Sequence, residues 1–207
     1  MSGPATKKQR TQPTYELIYW GGIPGRGEYI RLPLEASGAA YSDPGNEKNN
    51  GNKDVLSLID QKSLGDDDGN PPVFAPPALR IPGAGKDGKS LLIHQTPTIL
   101  QYLGPKIGMV PEDDAGQMHV EQMTQTALDL SNEAHDVHHP VAVGLYYEDQ
   151  KDEALRRSKD FRDNRIPKFF NYFERILKSN EDVGKGQYLV GGKLTYADTT
   201  LWQVVDG

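Results

Sequence analysis

An apolar run, Tyr15-Glu16-Leu17-Ile18-Tyr19-Trp20, passes directly into a glycine-rich turn, Gly21-Gly22-Ile23-Pro24-Gly25-Arg26-Gly27, and then into a segment with helical spacing. This junction constrains the fold more than any other stretch of the chain. Residues 16–20 read as a short strand. Residues 27–37 read as a helix with Ile30 and Leu34 on one face at i, i+4. The junction puts the Tyr19 hydroxyl beside a helix N-terminus, where unsatisfied N–H groups and the helix dipole favour an anion. Pro33 lies inside the helix and predicts a kink or a distorted preceding turn, because it removes one backbone hydrogen bond.

The same alternation continues. Residues 39–42 read as a second strand, and the Gly/Asn/Pro-rich stretch 43–53 as a loop. Residues 54–62 form a candidate short helix on Val55, Leu58 and Ile59, and another loop follows, carrying Asp66-Asp67-Asp68. Two apolar runs, 78–81 and 90–94, flank Pro82-Gly83-Ala84-Gly85-Lys86-Asp87-Gly88-Lys89, a hairpin connection. A helix is predicted over 97–103, with Thr96 as its cap and Pro97 in the first turn. Beyond residue 112 the strand signal ends. Residues 112–138 and 151–179 read as two long helices, the first with Val120, Met123, Ala127, Leu130 and Ala134 on its apolar face, the second kinked at Pro167. The fold class is α/β plus all-α: a thioredoxin-like N-terminal domain followed by a C-terminal helical domain. The predicted boundaries are a disordered tail (1–13), a first domain (14–104), a linker (105–111) and a helical domain (112–207).

Composition removes several function classes. The net charge of −6 argues against a duplex nucleic-acid binder; the one basic run, Lys7-Lys8-Gln9-Arg10, lies in the Pro/Thr/Gln-rich tail. With no cysteine, the chain has no disulfide, thiolate metal site or cysteine nucleophile, so any sulfur chemistry uses a sulfur brought by the substrate. No run approaches the ~18 apolar residues of a membrane span, and the N-terminus has no apolar signal core. The expectation is a soluble, cytoplasmic protein with no membrane or nucleic-acid partner. Gly25-Arg26-Gly27 lacks the third glycine of a dinucleotide loop, and no Gly-Lys-Ser/Thr follows it. His135, His138 and His139 have helix-borne ligand spacing, but Pro140 ends that helix and no metal is predicted there.

Four stretches together resemble the cytosolic glutathione transferases of the tyrosine type, the mu-, pi- and sigma-like members, from about Tyr15 to the C-terminus. They are the opening strand-turn-helix, Phe74-Ala75-Pro76-Pro77-Ala78-Leu79, His94-Gln95-Thr96-Pro97-Thr98-Ile99-Leu100-Gln101-Tyr102-Leu103, and Gly191-Gly192-Lys193-Leu194-Thr195-Tyr196-Ala197-Asp198. The resemblance implies a site for glutathione on the first domain. Tyr19 would donate its hydroxyl to the thiol sulfur; the other side-chain hydroxyl between Leu17 and Glu35 is that of Tyr29, and no serine occupies 21–27. Gln95 and Thr96 would hold the γ-glutamyl carboxylate, Arg26 another carboxylate, and Lys62 is a weaker candidate. The segment before the third strand would carry a cis-proline, Pro77 by motif match and Pro76 as the alternative. Its outward-facing backbone would pair with the cysteinyl part of the ligand. With Pro77 as the cis residue, Pro76 has no N–H to offer and one neutral hydrogen bond, worth ~1 kcal/mol, would be lost; with Pro76 as the cis residue, Ala75 would supply the N–H.

In the family, the first long helices of the second domain wall a pocket for an apolar electrophile; His135 and Tyr146 are the candidates here. Gln125 and Thr126 fall where some relatives offer an acid to the partner subunit, and neither is a carboxylate. Thr195 and Asp198 form a capping-box pattern that serves folding. The chain stops soon after it, short of the helices with which relatives usually continue, so a truncated or shortened protein is expected, with Leu201, Val204 and Val205 uncovered. The implied function is detoxifying conjugation of glutathione, as co-substrate and without any other cofactor, to small electrophiles by a cytoplasmic homodimer. The alternative is a non-catalytic glutathione- or ligand-binding, regulatory or structural protein on the same fold. A cysteine-type thiol oxidoreductase is opposed by the missing cysteine.

Overall fold

The computed structural model describes residues 14–47 and 51–207, so the predicted tail and its basic run lie outside the described residues. The chain divides into two compact units, one ending at Ile99 and the other starting at Leu100. In the first, strands β1 (Tyr15–Ile18), β2 (Tyr41–Ser42), β3 (Ala78–Ile81) and β4 (Leu91–His94) form one sheet in the order β2-β1-β3-β4. Helix α1 (Gly25–Ser37) connects β1 to its parallel neighbour β2, while β3 runs antiparallel to both β1 and β4. This is the thioredoxin-like layer predicted from the sequence.

The sheet is apolar on both faces. Leu17 and Leu79 are paired in register and fully buried. On the opposite face, Ile18, Ala78 and Leu92 form a cluster with Val55 and Val73, joined by the partly buried Trp20 and Leu58. Glu16 and Arg80, also paired in register, close the edge of that face with an ion pair.

Several elements differ from expectation. Strand β1 ends at Ile18, so Tyr19 stands just beyond the ladder. Helix α1 starts two residues earlier than predicted, at Gly25, and runs on through Pro33. One missing backbone bond is tolerated there because Ile30 and Leu34, on its buried face, are fully covered. The stretch predicted as loop contains a one-turn helix, α2 (Pro44–Glu47), while the short helix predicted over 54–62 is present as α3 (Asn52–Leu58), shifted toward the N-terminus. Helix α4 (Thr96–Lys106) takes Thr96 as its first residue, and the carbonyl of Gln95 accepts the Ile99 N–H at 3.0 Å. Gln95 therefore fills the cap position predicted for Thr96.

The second unit is helical. Helix α5 (Asp114–His138) is capped by the Asp113 carboxylate, which accepts the Gly116 N–H at 2.8 Å. Its buried side carries Val120, Met123, Ala127 and Leu130 as predicted, together with Thr124 and Val137. The second predicted long helix is resolved into α6 (Lys151–Asp160), a π-helical turn (Phe161–Arg165) and α7 (Ile166–Ser179). The cause is Pro167, which lacks an N–H and whose ring crowds the carbonyl four residues back. The turn before it widens, with the Ile166 N–H reaching the Phe161 carbonyl. A one-turn helix α8 (Glu181–Gly184) precedes α9 (Tyr196–Asp206). On α9, Trp202 and Val205 are more than half exposed, while Leu201 and Val204 are half-buried.

Candidate active site

Sheet register brings the scattered motifs of the first unit into one row. Ile18 pairs with Ala78, and Ala78 pairs with His94. The residues adjoining this row along the chain are Tyr19 after β1, Pro77 before β3 and Gln95 after β4. Three stretches far apart in sequence thus meet at one end of the sheet. The peptide bond between Pro76 and Pro77 is cis, so of the two alternatives Pro77 is the cis residue. Pro77 is buried, and Pro76, half-buried, keeps its carbonyl as an acceptor. Gln95 is exposed with φ +73°, an uncommon backbone state for a residue with a side chain, and Thr96 beside it is buried.

Tyr19 lies against the start of α1. The N–H of Arg26 donates to its hydroxyl oxygen at 2.8 Å. An accepted bond of this kind leaves the phenolic O–H free to donate elsewhere. The close approach depends on glycine. A Cβ on Gly25 would intrude on the Tyr19 hydroxyl, and one on Gly27 would lie 2.5 Å from the Tyr19 ring. The sequence Gly25-Arg26-Gly27 therefore forms a surface onto which an aromatic ring fits. The phenol ends at the first turn of a 13-residue helix, where free N–H groups and the dipole favour an anion.

The remaining candidates are more dispersed. The Arg26 side chain is exposed. Lys62 is also exposed, in the turn after α3, where its backbone N–H donates to Asp60 at 2.9 Å; it is not part of the row. In the second unit, His135 is exposed near the end of α5 and stacks on His139 at 5.1 Å, while His138 faces Tyr147. The three histidines do not converge, and among the described residues no group of three metal-capable side chains comes together. Tyr146 is 79% exposed, on a loop organised by the buried Gln150. The Gln150 Oε1 accepts the Val141 N–H at 2.9 Å, and its Nε2 donates to the Ala142 carbonyl at 3.1 Å.

Comparison with known proteins bears on the whole chain. The family model described as "Glutathione S-transferase, C-terminal domain" matches residues 135–207. The glutathione S-transferase P 1 of Xenopus laevis is 28% identical over 193 residues, covering 93% of this chain and 76% of that protein. Over most of its length the chain is similar to glutathione S-transferases. A second glutathione S-transferase, the class-mu 28 kDa isozyme of Schistosoma mansoni, is 26% identical over 194 residues, covering 92% of this chain and 77% of its own length. The solved sigma-class structure from Fasciola hepatica shares the fold, with a TM-score of 0.66 at 21% identity over 93% of this chain and 78% of that one.

Sequence reasoning missed one feature of this candidate site: the side chains behind Tyr19. Arg31 and Asp43 are 8% and 6% exposed and are joined by a 2.7 Å bond from Nε to Oδ2. Burial opposes the charge on Arg31, but hydrogen bonds to Asp43 and Glu28 and their negative charges outweigh it. Its pKa is held above the usual guanidinium value. The available signal was an arginine one turn after Glu28 on a helix face otherwise read as apolar, together with an aspartate directly before Pro44.

Proposed function

We propose that this protein conjugates the thiolate of glutathione to small, mostly apolar electrophiles, with Tyr19 as the catalytic residue. The observation that carries this reading is the Arg26 N–H bonded to the Tyr19 oxygen at 2.8 Å, which leaves the phenolic proton available to a sulfur. A free thiol titrates near ~8.5, so only a few per cent is ionised at neutral pH. Lowering that value by about two units requires roughly 2.7 kcal/mol. One charge-assisted hydrogen bond supplies around 1.5–3 kcal/mol. The phenol is therefore a sufficient main device, assisted by the N-terminus of α1.

In this proposal the other groups bind. Gln95 and Thr96, at the start of α4, hold the γ-glutamyl carboxylate on free N–H groups. Pro76 offers its carbonyl to the cysteinyl backbone, and Arg26 and Lys62 act on the remaining carboxylate. His135 and Tyr146 contact the electrophile. Once the sulfur is ionised, the protein contributes orientation and anion stabilisation to a substitution or addition at the electrophilic carbon. Glutathione is the co-substrate, and no resident cofactor takes part. The protein works as a cytoplasmic homodimer in detoxification. Among the described residues, no helix is long and apolar enough to cross a membrane.

The test is conjugation of glutathione to an aryl halide by the wild-type protein and by Tyr19→Phe. Removing the hydroxyl is expected to lower kcat/KM about 10–100-fold at neutral pH, as one charge-assisted bond is lost. It should also abolish the thiolate absorbance of bound glutathione. Wild-type protein that binds glutathione without turnover above background would refute the enzymatic reading. An unchanged thiolate signal in Tyr19→Phe would remove Tyr19 from its role.

A further inference from the structure

We propose that Arg31, aimed by Asp43, is the positioning residue for the Tyr19 phenol; this rests on the conjugating role of Tyr19 above. The Arg31 side chain turns back toward the start of α1. Its Nη1 donates to the Pro24 carbonyl at 3.2 Å and to the Glu28 carboxylate at 3.1 Å, and its Nε donates to Asp43 at 2.7 Å. The guanidinium carbon lies 5.7 Å from the centre of the Tyr19 ring. One buried side chain therefore holds both the residue that precedes the helix and the ring that rests on its first turn.

The way Arg31 uses its donors indicates what it is placed for. A guanidinium facing a carboxylate favours two parallel bonds. Here the bond from Nε to Asp43 is single, while Nη1 serves Pro24 and Glu28. Among the described residues, Arg31 Nη2 and Asp43 Oδ1 are left without hydrogen-bond partners. The guanidinium is oriented so that Nη1 reaches the Pro24 carbonyl and the ion pair stays incomplete. A buried pair adds little net stability over apolar groups of the same volume. Its consequence is therefore read in the geometry of the turn.

Asp43 is itself tied to the turn by a second route. Asn46 Nδ2 donates to Asp43 Oδ2 at 2.7 Å, and Asn46 Oδ1 accepts the Gly22 N–H at 2.9 Å. Between these links the backbones of Gly21 and Gly45 touch, and a Cβ on either would collide with the carbonyl of Gly45 or of Tyr19. The segment from Asp43 to Asn46 and the Arg31 side chain thus clamp the turn that brings the Arg26 N–H onto the Tyr19 oxygen.

The test separates positioning from folding. Removing one partner of a buried pair strands the other charge, whereas replacing both by apolar residues restores stability. The double variant Arg31→Met with Asp43→Leu is compared with wild type in thermal melting, in the pH profile of kcat/KM for aryl-halide conjugation, and in fluorine NMR. For the NMR the protein is labelled with fluorotyrosine, and the Tyr19 resonance is assigned by its absence in Tyr19→Phe. The double variant is expected to melt near the wild-type temperature. The pH midpoint should rise by about one unit toward that of a free thiol, a tenfold loss of thiolate below it. KM for glutathione should change far less, and the Tyr19 resonance should shift. A folded double variant with the wild-type midpoint and resonance overturns the proposal. If the wild type shows no conjugation, the functional reading fails by itself. The Tyr19 resonance then decides the positioning claim: a shift upholds it and no shift overturns it. If the double variant does not fold, Arg31→Lys is read the same way, because it keeps the charge beside Asp43 and lacks the planar fork that also reaches Pro24.

Discussion

Replacing Gly27 by alanine sets two effects against each other. Gly27 is a buried residue in the first turn of α1, and its φ is not in the left-handed region that favours glycine. On helix propensity alone, alanine should stabilise by about 1 kcal/mol. The new methyl group would lie 2.5 Å from Tyr19 Cδ1 and 2.7 Å from Cγ. Carbon atoms in contact sit about 3.5 Å apart or more, so the ring must move by roughly 1 Å. The bond from Arg26 to the Tyr19 oxygen is 2.8 Å long, and the same displacement takes it past the usable range of about 3.5 Å. Overpacking costs about 1–3 kcal/mol, so the net change in stability is a loss of up to about 2 kcal/mol. A reacting group misplaced by 1 Å can lower the rate about a hundredfold. The assay is kcat/KM for aryl-halide conjugation alongside urea denaturation. In a Tyr19→Phe background the ring and its clash persist, so the stability loss should recur while the extra loss of rate should largely vanish. A Gly27→Ala protein with wild-type kcat/KM and a raised melting temperature would refute the reasoning.

Two further predictions concern the helical unit. Arg165 donates through Nε to Glu133 at 2.7 Å; this hydrogen bond, against the opposing effect of burial, holds the Glu133 pKa below its ordinary value. The pair's contribution is therefore complete above the unfolded-state value of about 4.3 and is lost as pH falls through the lower folded-state value. Glu133→Gln should melt below wild type at neutral pH, and the gap should close in acid; melting curves across that range check it. Asp198 accepts the Thr195 N–H at 2.7 Å and the Leu189 N–H at 2.8 Å, at positions only 2% and 3% exposed. Asp198→Ala leaves two buried donors unsatisfied and should cost about 3 kcal/mol in urea denaturation, with Asp198→Asn milder.

Local chemistry made much of the first unit legible. Two apolar runs separated by a Gly/Pro-rich connection predicted the hairpin, and the strand-turn-helix junction predicted β1 and α1. The parts that could not be read are those whose stability comes from elsewhere in the chain. Pro44, Gly45 and Asn46 are poor helix formers, yet α2 forms around them. Asp43 caps it through its carbonyl, accepting the Glu47 N–H at 2.9 Å, while its carboxylate is held by Arg31. That bond spans twelve residues and leaves no trace in a local window. The π-helical turn was half legible: Pro167 announced a disturbance, but whether a helix bends or widens depends on what packs around it.

The candidate site follows the same division. The sequence motifs named the groups at three separate places, and nothing within any one of them says that Tyr19, Pro77 and Gln95 share an end of the sheet. That follows from register: Ile18 opposite Ala78 and Ala78 opposite His94. A slip of one residue in either pairing would turn Leu79 or Ile18 onto the wrong face of the sheet, so burial of the apolar side chains specifies the register and with it the site. The hydroxyl adds a second requirement that register cannot supply. Tyr19 stands one residue beyond the ladder, and its ring is held by the glycines of α1 below and by Arg31 beside it. The core therefore sets which residues meet, and the turn packed around the phenol sets where its oxygen stands.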